Sequence, residues 1–386
     1  MDKKVAFIVK HFTERGTELS TYNYAKYNES LLSNQSIIIA FNKASKDNKK
    51  VFINTTRKLF SKKFKIIEIK LIEEMKEIID NENITHVYIQ SHGFYRDEFK
   101  FNKKNIWGNC KTIYHNVFGP MARQGSDIRC VVGADLNKRF KKKIPVLPLI
   151  VNKHKKFGNL RNSLKIDSNS TVFGRHGGFN TFDLNFVKEA IRETLQKRKD
   201  IYFIFLNTEK FIHHDRVIYL KKTISLKEKS LFIDTCDYMI HARKDGETFG
   251  LAVAEFSAAN KPVICFGKSK DNEHLRVLKG KAIIYKTKKE LLNILLNSKR
   301  GFKKEKNFNC YEKYSPDKVM RIFNDICLEG KSSKKFDVCE IIRDIPWEIL
   351  IYIKAILQIF KSIIFKLIPT KLKGKLKNYF KNFYEF

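Results

Sequence analysis

Two series of alternating strand and helix patterns, separated by a proline-bearing connector, predict an α/β protein with two Rossmann-like domains facing a cleft. Three observations carry this expectation. Short apolar or β-branched runs recur along the chain, stretches with helical spacing lie between them, and 386 residues are more than one ordinary core organises. The expected domains are 1–150 and 151–330, followed by 331–386 as a linker and a C-terminal amphipathic helical tail.

In the first domain "VAFIV" (5–9), "SIIIAF" (36–41), "FKIIEI" (64–69), "THVYIQ" (85–90) and "KTIYH" (111–115) read as strands buried on both faces, as parallel strands are. Helical patterns at 17–32 and 71–79 lie between them. "KKKIPVLPLIV" (141–151), with two prolines, reads as the connector. The second domain repeats the grammar with "TVFGR" (171–175), "IYFIFLN" (201–207), "RVIYL" (216–220), "YMIHA" (238–242), "PVICFG" (262–267) and "AIIY" (282–285). Its helical stretches are 184–197, 225–233, 249–260 and 288–297. "SPDKVMRIFNDICLEG" adds a helix over about 315–330, opened by a serine cap and a first-turn proline. In such sheets ligands bind beyond the carboxyl ends of the strands, so the cleft is the expected site.

Composition narrows the function classes. The formal net charge is +35, from 76 Lys and Arg against 41 Asp and Glu. A surplus of that size suits nucleic acid or an anionic membrane. The basic residues are spread along the whole chain, and no zinc finger, aromatic RNA-binding signature or helix-turn-helix is legible. No specific nucleic-acid partner is therefore expected. The seven cysteines, at 110, 130, 236, 265, 310, 327 and 339, show neither CxxC nor metal-ligand spacing and read as reduced, buried thiols. "MDKKVAFIVKHF" opens on a strand and not on a signal peptide, so a cytoplasmic protein is expected.

Chemistry concentrates in "DGETFGLAVAEFSAANKPVICF" (245–266), which holds Glu247 and Glu255. Helix start signals fall near Thr248–Gly250, where unpaired N–H groups make an anion site and glycine admits a phosphate closely. Eight residues of helical rise span about 12 Å, enough for two carboxylates to bind hydroxyls on either side of a diphosphate. The alternative is an amphipathic helix with solvated glutamates. "GLAVAEFSAAN" is too apolar for that, because Glu255 stands nearly alone on a helix that should be buried, and a buried carboxylate needs a partner or a ligand.

The segment "DYMIHARKDGETFGLAVAEFSAANKPVICF" resembles the E-x7-E region of retaining glycosyltransferases of the GT-B fold, the family-4-like group. Thr248 stands where that group usually has glycine. "VFGRHGGF" (172–179) is similar to its strand–Gly–Arg loop, "KHFTERGTE" (10–18) to its first glycine-containing loop, and "TIYHNVF" (112–118) to its strand-end histidine. The resemblance extends over about residues 3–330 and implies these roles. Glu255 would hold the ribose hydroxyls of a nucleoside diphosphate sugar. Glu247, at the catalytic position, would hydrogen-bond the donor sugar. Arg175 would neutralise the diphosphate with its planar fork, helped by the backbone N–H groups of Phe249, Gly250 and Leu251. Gly16 would let the first loop approach the diphosphate, Glu18 would face the cleft, and His115 would sit beside the reacting sugar. The group's usual lysine shortly after Gly–Arg is missing here until Lys188, and Arg243 is the substitute cation.

His92, after one strand, and His241, at the end of the strand before the glutamates, point toward the same cleft. His92 ranks below His115 as a candidate, and a structural hydrogen-bonding role is the alternative for His241. No Asp-x-Asp pair occurs, so no metal and no other cofactor is expected, the diphosphate charge being met by arginine and a helix N-terminus.

The tail needs its own account. On a helix over 349–368, Lys354, Gln358, Lys361, Ser362 and Lys366 share one face, opposite Ile353, Ile356, Leu357, Ile363, Ile364 and Leu367. Lysines within the stretch argue against a bilayer-spanning helix and for a cationic helix lying on an anionic membrane surface, using residues 345–386. A helix packed on the protein itself or at a dimer interface is the alternative.

These readings converge on a glycosyltransferase attached peripherally to the cytosolic face of a membrane. It would move a sugar from a nucleoside diphosphate sugar to a hydroxyl of a glycan or lipid-linked acceptor, with retained configuration and without metal. Two other classes stay open. One is a non-catalytic nucleotide-sugar or glycan-binding protein, or a membrane scaffold, on the same fold. The other is a double-Rossmann oxidoreductase, which would want GxGxxG after the first strand, where "VKHFTERGTE" has one glycine.

Overall fold

Six short runs in the first 131 residues form parallel strands: β1 (Lys4–Val9), β2 (Gln35–Phe41), β3 (Lys65–Ile69), β4 (His86–Ser91), β5 (Lys111–Asn116) and β6 (Ile128–Val131). Their order across the sheet is β3-β2-β1-β4-β5-β6. The computed structural model describes residues 3–13, 16–41, 56–92, 99, 104–118, 125–139, 141, 143–301 and 306–331. All of them belong to one unit running from Met1 to Ser332. The helices of this half are α1 (Gly16–Leu32), α2 (Arg57–Ser61), α3 (Met75–Asn81), α4 (Lys104–Trp107) and α5 (Ala134–Arg139). The strand β6 was not among the sequence expectations, since four residues that include Arg129 and Cys130 carry too little period to stand out.

The second half repeats the plan with β7 (Thr171–Arg175), β8 (Ile201–Leu206), β9 (Val217–Leu220), β10 (Tyr238–His241), the two-residue β11 (Gly246–Glu247), β12 (Val263–Phe266), the two-residue β13 (Asp271–Asn272) and β14 (Ile283–Tyr285). Its main sheet runs β14-β12-β10-β7-β8-β9. Read in chain order, both six-stranded sheets are therefore 3-2-1-4-5-6, the doubly wound plan whose order reverses beside its first strand. Helices α6 (Asn185–Lys197), α7 (Leu226–Thr235), α8 (Leu251–Ala258), α9 (Glu273–Leu278) and α10 (Lys288–Asn297) cover this sheet. The helix expected over 249–260 is shorter, because Glu247 lies in β11, paired with β13, and Gly250 caps α8 in the left-handed region at φ 85°. The two glutamates are thus not joined by continuous helical rise.

The connector is packed, not loose. Val131 N–H donates to the Pro145 carbonyl and Leu147 N–H to the Val131 carbonyl, both at 2.9 Å, so the segment extends the sheet beside β6. Tyr24 donates to the Pro148 carbonyl at 2.6 Å. Helix α11 (Pro316–Phe323), continued by a π-helical turn (Asn324–Leu328), returns to the first half, where Phe323 meets the rings of Phe7, Tyr24 and Tyr88 at 6.4, 5.4 and 5.7 Å. One apolar cluster consequently includes Phe7, Val131, Leu147, Met239 and Phe323, and the halves share a continuous core. Among the described residues no helix is long and apolar enough to cross a membrane. The cationic stretch 345–386 lies outside the described residues.

Candidate functional site

Each half presents its switch point where the strand order reverses: β1 beside β4, and β7 beside β10. The candidate residues follow the carboxyl ends of those strands. Gly16 opens α1 after β1, His92 follows β4, Arg175 ends β7, and His241, Arg243 and Glu247 end or follow β10.

Glu247 is one-fifth exposed, and its carboxylate is held between His241 Nε2 and Arg243, each at 3.2 Å. Burial alone would raise this carboxyl, but His241, Arg243 and the nearby His274 together hold it down to about 2. It is a fixed anion at neutral pH. Arg243 is accordingly a half-buried partner of Glu247 and not a solvated surface cation.

Glu255 emerges from α8 between Lys229, which donates to Oε1, and His176, whose Nε2 lies 2.9 Å from Oε2 but off the line of a good hydrogen bond. Burial pushes this carboxyl up as well, and Lys229 and His176 outweigh it, leaving it near about 2. The His176 ring stacks on Phe256 at 5.8 Å and meets Phe232 edge-on at 6.0 Å, which fixes its place beside the carboxylate. Neither Lys229 nor His176 was singled out by sequence. They lie 26 and 79 positions from Glu255, and only the packing of α7 and the β7 loop against α8 brings them together.

Between the glutamates, Phe249 is 2 % exposed, its ring set against Tyr311 and Tyr314. Its backbone and those of Gly250 and Leu251 form the entry to α8, where the leading N–H groups lack intrahelical acceptors. The first half reaches this point directly. A Cβ on Gly16 would stand 3.4 Å from Leu251 Cδ1. Glu18, half-buried in the first turn of α1, accepts from Thr17 at 2.6 Å. His92 stacks on Phe118 at 5.5 Å, at the ends of β4 and β5.

Thr248 has a specific task. Its hydroxyl donates to the Val117 carbonyl at 2.7 Å, tying the second half to the end of β5. Beside it, Gly133 approaches so closely that a Cβ would lie 2.6 Å from the Thr248 carbonyl oxygen and 2.8 Å from the Glu273 side chain. The same seam carries Asp135 N–H to Glu273 at 2.9 Å, Asn272 N–H to Asp135 at 3.0 Å and the ion pair of Arg139 with Asp271. Asn116, wholly buried next to this seam, has neither side-chain amide atom partnered among the described residues.

Two expectations change. His115 is not at the cleft. It is wholly buried, bonded through Nδ1 to Tyr88 OH at 2.7 Å and set edge-on to Tyr24, and burial holds its ring at a pKa of about 3. It belongs to the first half's core, because residue 115 alternates onto the α1-facing side of β5. Arg175 does end β7, but its terminal nitrogens are committed to the protein. One donates to the Asn207 carbonyl (3.1 Å) and Thr208 (2.6 Å), the other to the Gly178 carbonyl (2.8 Å) and Thr181 (2.6 Å). Burial lowers it to about 10, with Glu247 opposing. It braces the 176–181 loop, while Lys229 and Arg243 are the cations in contact with the glutamates.

The fold also gathers a set that sequence spacing does not show. One ring nitrogen each of His241 and His274 and the Cys265 sulfur lie within 4.8 Å of one another, all buried.

No protein-family model and no curated protein sequence matches the chain. Solved structures are similar to it. A glycosyltransferase from Rickettsia africae superposes with a TM-score of 0.64 at 14 % identity, over 86 % of this chain and 100 % of its own. HepE from Anabaena, solved with UDP and glucose, gives 0.63 at 12 % identity, over 86 % and 100 %. A UDP-N-acetylglucosamine 2-epimerase assignment from Listeria monocytogenes gives 0.56 at 12 % identity, over 87 % and 98 %. Likeness at such identities establishes architecture and leaves chemistry to the site. The chain has the fold of the GT-B glycosyltransferases, two α/β domains each built on a six-stranded parallel sheet.

Proposed function

We propose that the protein is a retaining glycosyltransferase that uses a nucleoside diphosphate sugar and needs no metal at the diphosphate. The observation that carries this reading is the pair Glu247 and Glu255, placed on either side of the α8 N-terminus at a topological switch point and each held ionised by its own cations. Glu255 would accept from the ribose hydroxyls and Glu247 from the donor sugar. The diphosphate would lie against the N–H groups at Phe249–Leu251, with Lys229 and Arg243 nearby as cations.

In the reaction the anomeric carbon–oxygen bond breaks and the nucleoside diphosphate leaves with the electron pair. The acceptor hydroxyl oxygen bonds to the same face of the sugar and its proton passes to the leaving phosphate. Positioning and stabilisation of the departing charge would supply most of the acceleration. Gly16 would bring the first loop to the diphosphate, and His92 and Glu18 would line the acceptor side. The acceptor would be a glycan or lipid-linked hydroxyl, and residues 345–386 would attach the enzyme to the cytosolic face of an anionic membrane.

The test is a screen of nucleotide sugars for nucleotide release with and without added acceptors. Glu247→Gln should lower turnover by about 100-fold or more, the scale of losing a transition-state contact, while donor binding stays within a few-fold. Activity should not depend on added Mn²⁺ or Mg²⁺. Loss on chelation restored by Mn²⁺ or Mg²⁺ would refute the metal-free diphosphate site. Conversion of the nucleotide sugar to an epimer with no nucleotide released would refute transfer, and donor binding without turnover would favour a binding protein.

A further inference from the structure

Behind Glu247 lies a chemistry that sugar transfer leaves unused. His241 ends β10 and Cys265 stands opposite it on β12, the two being register partners in parallel strands. His274, on α9, brings its ring to 4.8 Å from that of His241. His241 is 5 % exposed, and His274 and Cys265 are at 0 %. Buried polar atoms ordinarily find partners. Here His241 Nδ1 and both nitrogens of His274 have none among the described residues; the Glu247 carbonyl lies near His274 without an aligned bond.

We propose that His241, Cys265 and His274 form a binding site for a thiophilic divalent cation of the zinc type. Imidazole nitrogen and thiolate sulfur suit such an ion, and metal–ligand distances of about 2.0–2.3 Å put ligand atoms roughly 3.5–3.8 Å apart. The present separations, within 4.8 Å, close to that by side-chain shifts of about an ångström. Since Nε2 of His241 meets Glu247, Nδ1 is the nitrogen left for the ion. The carboxylate–imidazole–metal arrangement that results is the usual way a ligating histidine is oriented. Binding replaces the Cys265 thiol proton, which leaves to solvent. Since that proton must leave before the sulfur can ligate, affinity should rise with pH. The ion would act as a brace that holds His241 and, through it, the direction of Glu247. The site stands whether or not the protein transfers sugar.

The experiment uses the full chain, stripped with a strong chelator under reducing conditions and then titrated with Co²⁺ and Zn²⁺. One Co²⁺ per chain should bind with a thiolate-to-metal charge-transfer band in the near ultraviolet, and one equivalent of Zn²⁺ should bleach it. Cys265→Ser should abolish the band, and His274→Asn should weaken Zn²⁺ binding by about 100-fold with circular dichroism unchanged. Should Cys265→Ser fail to fold, the wild-type spectrum and His274→Asn decide the matter. No thiolate band in the wild type, a band that survives Cys265→Ser, or unchanged Zn²⁺ affinity in a folded His274→Asn would each overturn the proposal. Restoration by Zn²⁺ of a chelated enzyme that Mn²⁺ and Mg²⁺ leave inactive would point to this site; the opposite pattern would point to the diphosphate.

Discussion

Glu255→Gln separates the electrostatics of α8 from its packing, because it keeps the shape of the side chain and removes its charge. The carboxyl of Glu255 is held near about 2, against an ordinary 4.5, by Lys229 and His176. At about 1.4 kcal/mol per pH unit that fall corresponds to roughly 3 kcal/mol of folding stability at neutral pH. The side chain is 28 % exposed, so solvent screening should bring the contribution to about 2 kcal/mol. The sign follows from the depressed folded-state value. The contribution is complete above the unfolded carboxyl's pKa of 4.5 and disappears as pH falls toward 2. Urea unfolding at pH 7, 5, 4 and 3 should show wild type and Glu255→Gln separated by about 2 kcal/mol at pH 7 and by roughly half that at pH 3. The same substitution should weaken binding of the preferred nucleotide by about 10- to 100-fold, the worth of a charged hydrogen bond. A gap that is the same at pH 7 and pH 3 would refute the ion-pair account, and unchanged nucleotide affinity would refute the ribose role.

Three further outcomes are expected. Gly133→Ala should push the halves apart at Thr248 and Glu273, costing about 1–3 kcal/mol and raising the donor KM; a variant with wild-type unfolding and KM would show that the seam yields freely. His115→Ala should cost about 2–4 kcal/mol in urea unfolding by emptying a buried site and stranding the Tyr88 hydroxyl, with little change in the turnover of folded enzyme; a stable protein with turnover lost would restore a catalytic role. A chain ended at residue 332 should fold and keep donor binding while losing the salt-sensitive attachment of the full chain to anionic vesicles, measured by co-sedimentation; equal vesicle binding by both chains would refute the membrane role of 345–386.

The amino-acid sequence by itself determined the repeated α/β grammar. The runs at 5–9, 36–41, 171–175 and 201–207 become β1, β2, β7 and β8 within a residue or two, because buried parallel strands need short apolar runs wherever they sit. The two glutamates around a glycine-led helix were legible for the same local reason. What surrounds them was decided only in three dimensions. Lys229 and His176 reach Glu255 through packing of separate elements, Thr248 and Gly133 meet across the seam, and Cys265 and His274 join His241 across strand pairing and a helix turn. The same packing seals His115 inside a core and ties Arg175 to its own loop. A residue's period predicts which face it takes, but whether that face meets solvent, a cleft or another side chain depends on contacts between segments that sequence spacing does not encode.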